Sequence, residues 1–404
     1  MQLATFTVYT GGRIVNATLS LITLVMINRM ISPADYGRYA YITMIGGLLS
    51  LLCFGWIWSC NLRFGSERPF SEVYQNAIAW LILASPLVLL SVWVFSYFNP
   101  GDQIEYAYLI AYALLLALFN SEQKIHAATS HLRSNIAYAL LRTATNLIAL
   151  AALILFLNDH KNALYMASVL GYFSVLAALL WREVYRKNAV PKALPTSEQV
   201  SYGAGIAAAA LITQVNYSLD KFVVNWALGD ESTGQYYHSY EIIHFMIMFV
   251  YSIYNVNVYP PLQRLYDKNE ITLQRVLRKS LTIFAAIAVV IVVCLFVGKP
   301  LIVGVISEEY RYYFAHLYAF NIIIALLTCF VAFNINYAFQ LAKIPKIRVY
   351  IGAMAILVNL SLSLLLVNTH GMRGVACATI LSQLFIVFSS KYYISAVWIK
   401  NHAR

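Results

Sequence analysis

A chain of 404 residues that is 61% hydrophobic and only 11% charged lies far from the ~45–50% apolar, ~25% charged composition of soluble domains. So few charges cannot coat a globule of this size, which excludes a soluble nucleic-acid-binding protein, a disulfide-stapled secreted scaffold and a disordered chain. What remains is an all-α polytopic integral membrane protein, in which the net charge of +11 reports basic cytoplasmic loops.

A helix needs about 20 apolar residues to cross the hydrocarbon core. By that measure about twelve transmembrane helices are expected, near 4–28, 39–60, 73–98, 106–121, 135–157, 163–181, 203–227, 235–258, 281–297, 313–341, 349–367 and 374–390. The opening MQLATFTVYT has no basic region and no small-residue cleavage site, so it is expected to stay as part of the first span. With both termini cytoplasmic, the cytoplasmic segments hold 19 Lys and Arg and the outer segments hold 6. That asymmetry follows the positive-inside rule. The two longest hydrophilic stretches, REVYRKNAVPKALPTSEQVSY and PPLQRLYDKNEITLQRVLRKS, are then cytoplasmic. No outer loop is long enough to fold into a domain. The five cysteines lie in or beside apolar runs with no CxxC pair and read as packing residues.

The sequence repeats weakly at half its length. Ile31–Tyr41 (ISPADYGRYAY) resembles Leu228–His238 (LGDESTGQYYH), with Gly37 on Gly234 and Tyr39 on Tyr236 at an offset of 197. Met166–Gly171 resembles Cys377–Ser382 at 211, and Asn158 and His160 match Asn368 and His370 at 210. Three matches in one order indicate a duplication into two pseudo-symmetric six-helix lobes, at 1–185 and 203–404, joined by a cytoplasmic linker at 186–202. Six spans per copy put both lobes in the same orientation, related by an axis along the membrane normal. That arrangement suits a transporter.

The turn Ile31-Ser32-Pro33-Ala34-Asp35-Tyr36-Gly37-Arg38-Tyr39 resembles one found after the first span of the polysaccharide exporters and O-antigen flippases (Wzx type) of the multidrug/oligosaccharidyl-lipid/polysaccharide exporter superfamily. The second half is similar to the family pattern too, with Asp220, then Leu228-Gly229 through Gly234 and Tyr236, and Pro260 or Pro261 after span eight. The resemblance implies a flippase of the bacterial inner membrane that moves an undecaprenyl-pyrophosphate-linked oligosaccharide, such as an O-antigen repeat unit of lipopolysaccharide, by alternating access. Its implied partners are that lipid-linked sugar, membrane lipids, and a polysaccharide polymerase and chain-length regulator.

A cation at mid-bilayer costs at least about 2.5–3.5 kcal/mol, so cations inside spans call for a wet cavity or a partner. In span one, Tyr9, Arg13, Asn16, Ser20 and Thr23 form one polar stripe. Span five carries Tyr138 and Arg142, and span seven carries Thr213, Asn216, Asp220 and Lys221. Span eight places Glu241, His244, Met248, Tyr251 and Asn255 on a single face. A pyrophosphate head group calls for cations, and Arg offers a planar fork for its oxygens. Tyr and Asn suit sugar hydroxyls.

The expected lumen contacts are Arg13, Asn16, Arg142, Lys221, Tyr251 and Asn255. The expected ion-coupling residues are Asp220, Glu241 and His244. Each has a plainer reading. Arg13, Arg142 and Lys221 could snorkel, Asp220 could be a structural anchor that is not simply paired with Lys221, and Glu241 and His244 could satisfy each other. No G-x-x-x-x-G-K-[ST], HExxH or CxxC motif occurs, so neither ATP hydrolysis, a metal site nor a cofactor is expected. The chain reads as a transporter and not an enzyme. The alternatives are a cation-coupled exporter of drugs or metabolites, which calls for an acidic lumen, and a polymerase or ligase, which calls for a large outer loop.

Overall fold

At Gly229 the backbone takes φ 83° and ψ −178°, a left-handed setting that glycine adopts without the penalty a Cβ brings. It breaks a 71-residue helical stretch into two helices. The structure is a computed structural model that describes residues 3–64, 70–98, 102–128, 132–157, 159–184, 196–267, 272–341 and 345–402. It contains α1 (Leu3–Met30), α2 (Pro33–Phe64), α3 (Phe70–Phe98), α4 (Gln103–Ala128), α5 (Leu132–Phe156) and α6 (His160–Val184). These are followed by α7 (Ser197–Asp267), α8 (Leu273–Val305), α9 (Glu308–Phe330), α10 (Asn336–Leu341) and α11 (Pro345–His402). A π-helical turn, Val331–Ile335, joins α9 to α10, and Gly371 at φ 56° divides α11 as Gly229 divides α7. The described residues form no strand.

Nine stretches among the described residues are long and apolar enough to cross a membrane. Neither half of α7 is among these nine. One of the nine, Ile347–Ile394, runs across the Gly371 break. With α7 and α11 each divided at glycine, and α9 continued through the π turn into α10, the helical segments line up with the twelve expected spans. The expected linker 186–202 lies mostly outside the described residues.

The described chain divides into two units, Met1–Ile31 with Arg38–Gln214, and Ser32–Gly37 with Val215–Arg404. The segment Ser32–Gly37, at the start of α2, is therefore part of the second unit. In the first unit α1 packs on α5, α5 on α6, and α4 on α3, α5 and α6. Its core gathers Tyr41, Ile42, Phe54, Ile57 and Trp58 of α2, Trp80 and Val88 of α3, and Tyr108 and Leu109 of α4. In the second unit α9 packs on α8 and α11, around Val223, Val224, Tyr236, Leu317, Ile324 and Val375.

The repeat has a physical counterpart inside the second unit. A Cβ on Gly37 would lie 1.8 Å from the Asp230 carbonyl oxygen, and one on Gly234 would lie 1.8 Å from that of Pro33. Pro33 and Asp230 are 197 apart in sequence, as are Gly37 and Gly234. Each repeat thus sets its glycine against the other's first-turn carbonyl, a self-complementary contact of the kind a two-fold relation produces. Ser32, where α1 gives way to α2, is the counterpart of Gly229 at the same offset.

Candidate functional site

In the first unit Arg142 of α5 is part-buried. Its guanidinium lies 5.0 Å from the Phe119 ring and 5.1 Å from the Tyr172 ring, and its Nη1 donates to the Tyr172 hydroxyl at 2.9 Å. No carboxylate pairs with it among the described residues. Aromatic faces hold a cation through the ring quadrupole without neutralising it, so Arg142 is fixed in direction and keeps its charge.

Asn16 reaches the same neighbourhood, because the Thr143 hydroxyl donates to its Oδ1 at 2.8 Å. Close packing brings α1 there: a Cβ on Gly12 would fall 2.3 Å from Ile136 Cγ2. Arg13 sits on the exposed side of α1. The Tyr9 side chain lies outside the described residues, and Ser20 and Thr23 turn inward on their own helix, Ser20 donating to the Asn16 carbonyl and Thr23 to the Leu19 carbonyl. Such back-bonding satisfies a hydroxyl without any cavity.

From Arg142 a run of tyrosines crosses the first unit. Tyr112 meets Tyr172 at 5.6 Å, Tyr108 meets Tyr112 at 5.5 Å, and Tyr165 stacks on Tyr108 at 4.3 Å. It ends at Glu105, a buried carboxylate bound bidentately by Arg38 and touched by Lys161 at 3.3 Å. Sequence reasoning passed over Glu105 and the tyrosines. The available signal was an acid in the first turn of a span with Tyr residues at helical spacing behind it.

In the second unit the expected coupling residues lie along α7, in two different settings. Asp220 Oδ1 accepts from the Lys221 backbone N–H at 2.8 Å and lies 3.4 Å from Lys221 Nζ, while Oδ2 accepts from Tyr236 at 2.9 Å. Asp220 and Lys221 are in ionic contact after all. The reason is side-chain reach: Lys221 folds back to donate to the Tyr217 carbonyl at 2.8 Å, with its ammonium 4.1 Å from the Tyr240 ring. Lys221 is buried, which departs from the snorkelling reading.

Glu241 accepts from Tyr36 at 2.5 Å, whereas His244 Nδ1 pairs with the Tyr240 hydroxyl at 3.2 Å and its ring stacks on Tyr240. Glu241 and His244 therefore do not pair with each other. Further along the same face the side chains pack: Cys329 Sγ lies 3.3 Å from Met248 Sδ, and Tyr251 donates to the Phe284 carbonyl at 3.0 Å while stacking on that ring. Tyr251 is fully buried with its hydroxyl bonded to the Phe284 carbonyl. The side chain of Asn255 lies outside the described residues. Asn216 is buried against α11, where Ser382 donates to it at 3.4 Å.

A family profile described as "Polysaccharide biosynthesis protein" matches residues 26–313. No curated protein matches the chain significantly. Among solved structures, an outward-facing conformation of a multidrug resistance MATE family transporter of the MOP superfamily is 15% identical, with a TM-score of 0.69 over 97% of this chain and 95% of its own. An inward-facing conformation of such a transporter is 14% identical, with a TM-score of 0.70 over 94% and 95%. A MOP superfamily transporter from Pyrococcus furiosus, described by the reverse polarity of its binding pocket, is 13% identical, with a TM-score of 0.59 over 98% and 99%. At such identities the likeness is one of fold, and the fold is that of these transporters.

Proposed function

The chain belongs to the polysaccharide biosynthesis protein family, and from that premise we propose that it is a flippase for an undecaprenyl-pyrophosphate-linked oligosaccharide in the bacterial inner membrane. It would carry a repeat unit such as that of O-antigen from the cytoplasmic to the outer leaflet by alternating access. The observation that carries this reading is Arg142, a part-buried cation on α5 oriented by Tyr172 and Phe119 and left without a carboxylate among the described residues. An uncompensated guanidinium in low dielectric is a site for an anion, and two of its donors match the spacing of phosphate oxygens.

Asn16, beside Arg142 through Thr143, supplies an amide for sugar hydroxyls, and Arg13 lies one turn away on α1. In the second unit Glu241 is the coupling acid, with His244 a turn further on, because Glu241 holds one hydrogen bond where Asp220 holds several. Asp220 anchors Lys221. The rival, an exporter of cationic drugs, shares the fold. It calls for a carboxylate where this first unit presents Arg142.

The test is export in cells with an intact polysaccharide locus. Losing a charge-assisted contact worth about 1.5–3 kcal/mol translates to an export rate about 10–100-fold lower in R142Q, at wild-type protein level. Complete lipid-linked units should accumulate in the cytoplasmic leaflet, and R142K should recover part of the rate. Normal surface polymer in R142Q together with altered sensitivity to cationic drugs would transfer the assignment to the drug exporter.

A further inference from the structure

At one end of the first unit, α2, α3 and α4 bury a polar cluster that the flippase reading does not use. Asn61 of α2, Asn76 and Trp80 of α3, and Ser121 and Glu122 of α4 are all at most 4% exposed. Among the described residues, Asn61 Nδ2, both amide atoms of Asn76, Trp80 Nε1, Ser121 Oγ and both carboxylate oxygens of Glu122 find no hydrogen-bond partner. Glu122 has one ionic neighbour, His126 Nε2 at 3.1 Å. Native interiors leave few such groups, and each calls for an explanation.

Helix register places these residues at one level. Thr43 meets Tyr108, Ser50 donates to the Ala113 carbonyl, and Trp58 to that of Ala117, so α2 and α4 run parallel. One turn beyond the last contact come Asn61 and Ser121. On α3, Trp80 stacks on Trp56 at 5.8 Å, and Ala77 packs with Val73 and Ile125. Asn76 and Trp80 therefore come level with Ser121 and Glu122.

A carboxylate, an amide oxygen and a hydroxyl are hard oxygen donors of the kind that hold alkali and alkaline-earth cations. One carboxylate balances one positive charge, and a divalent ion would leave an excess charge in a low-dielectric site. No group of three or more His, Cys, Asp or Glu that could hold a metal ion occurs among the described residues, so the ion would rest on one carboxylate and neutral oxygens. We propose that Glu122, Ser121 and Asn76 form a monovalent-cation site of sodium size in the first unit. A bound ion would tie the ends of α2, α3 and α4 together. The site is separate from Glu241 and does not depend on the flippase reading.

The experiment is thermal unfolding of the purified full-length protein in detergent, with sodium chloride against choline chloride at equal ionic strength. Sodium should raise the midpoint saturably, by about 2–4 °C. E122Q should lose that shift and E241Q should keep it. An equal response to both salts would overturn the site, as would a shift retained in E122Q. A shift lost only in E241Q would move the ion to the second unit. If E122Q does not fold, equilibrium binding of radioactive sodium to the wild type and to S121A decides: binding that saturates near one per chain and weakens in S121A supports the site, and no saturable binding overturns it.

Discussion

Asp220 and Glu241 lie 21 residues apart on α7 with the same charge and different company. Asp220 accepts from a backbone N–H and a tyrosine and contacts the Lys221 ammonium, so removing it strands a buried cation. Breaking a buried pair in this way costs about 3–5 kcal/mol. D220A should therefore yield little monodisperse protein by size-exclusion chromatography in detergent. Glu241 meets the Tyr36 hydroxyl, a bond that a glutamine oxygen can also accept. E241Q should elute like the wild type while transport in vesicles loses its dependence on an imposed ion gradient. Gradient-driven transport surviving in E241Q would remove it from coupling. The acids themselves were legible in the sequence because charge inside an apolar run is conspicuous. Their partners were not, since a lysine long enough to fold back over its own helix defeats a prediction made from helical angle alone.

At the scale of elements, the contact between α2 and the second half of α7 depends on two glycines. G37A or G234A would push a methyl into a backbone carbonyl that cannot move without shifting a helix. Each should lower the unfolding midpoint by about 2–6 °C, on the scale of overpacked cores that lose about 1–3 kcal/mol. G47A is the control: nothing lies within 4 Å of its Cβ, and alanine is favoured over glycine in a helix by about 0.8–1.0 kcal/mol, so its midpoint should hold or rise. The repeat motif marked these glycines in the sequence. That the two copies touch each other could not be read there, because an offset of 197 says which residues correspond and nothing about which ones meet. The polar stripe of α1 shows the reverse failure. Periodicity predicted a wet face, but Ser20 and Thr23 bond to their own backbone.

For the whole molecule, the distribution of basic residues predicts both termini in the cytoplasm. Reporter fusions at positions 190, 270 and 404 should be active only as cytoplasmic reporters, and those at 159 and 306 only as outer ones. A single inverted site would break the twelve-span alternation on which the assignment of leaflets depends.

The amino-acid sequence by itself determined the membrane setting, the helical class, the positions of the helices and the pairing of the two repeats. Those properties are local or summed along the chain: a 20-residue apolar run, a charge count, a turn motif. Only the tertiary structure decided which polar residues are occupied and which remain available. Arg142 is held by aromatic rings from α4 and α6, and Tyr251 is bonded to α8. Each outcome depends on helices far apart in sequence, and burial makes the difference large, because an ionic or hydrogen bond that is weak in water is strong where water is excluded.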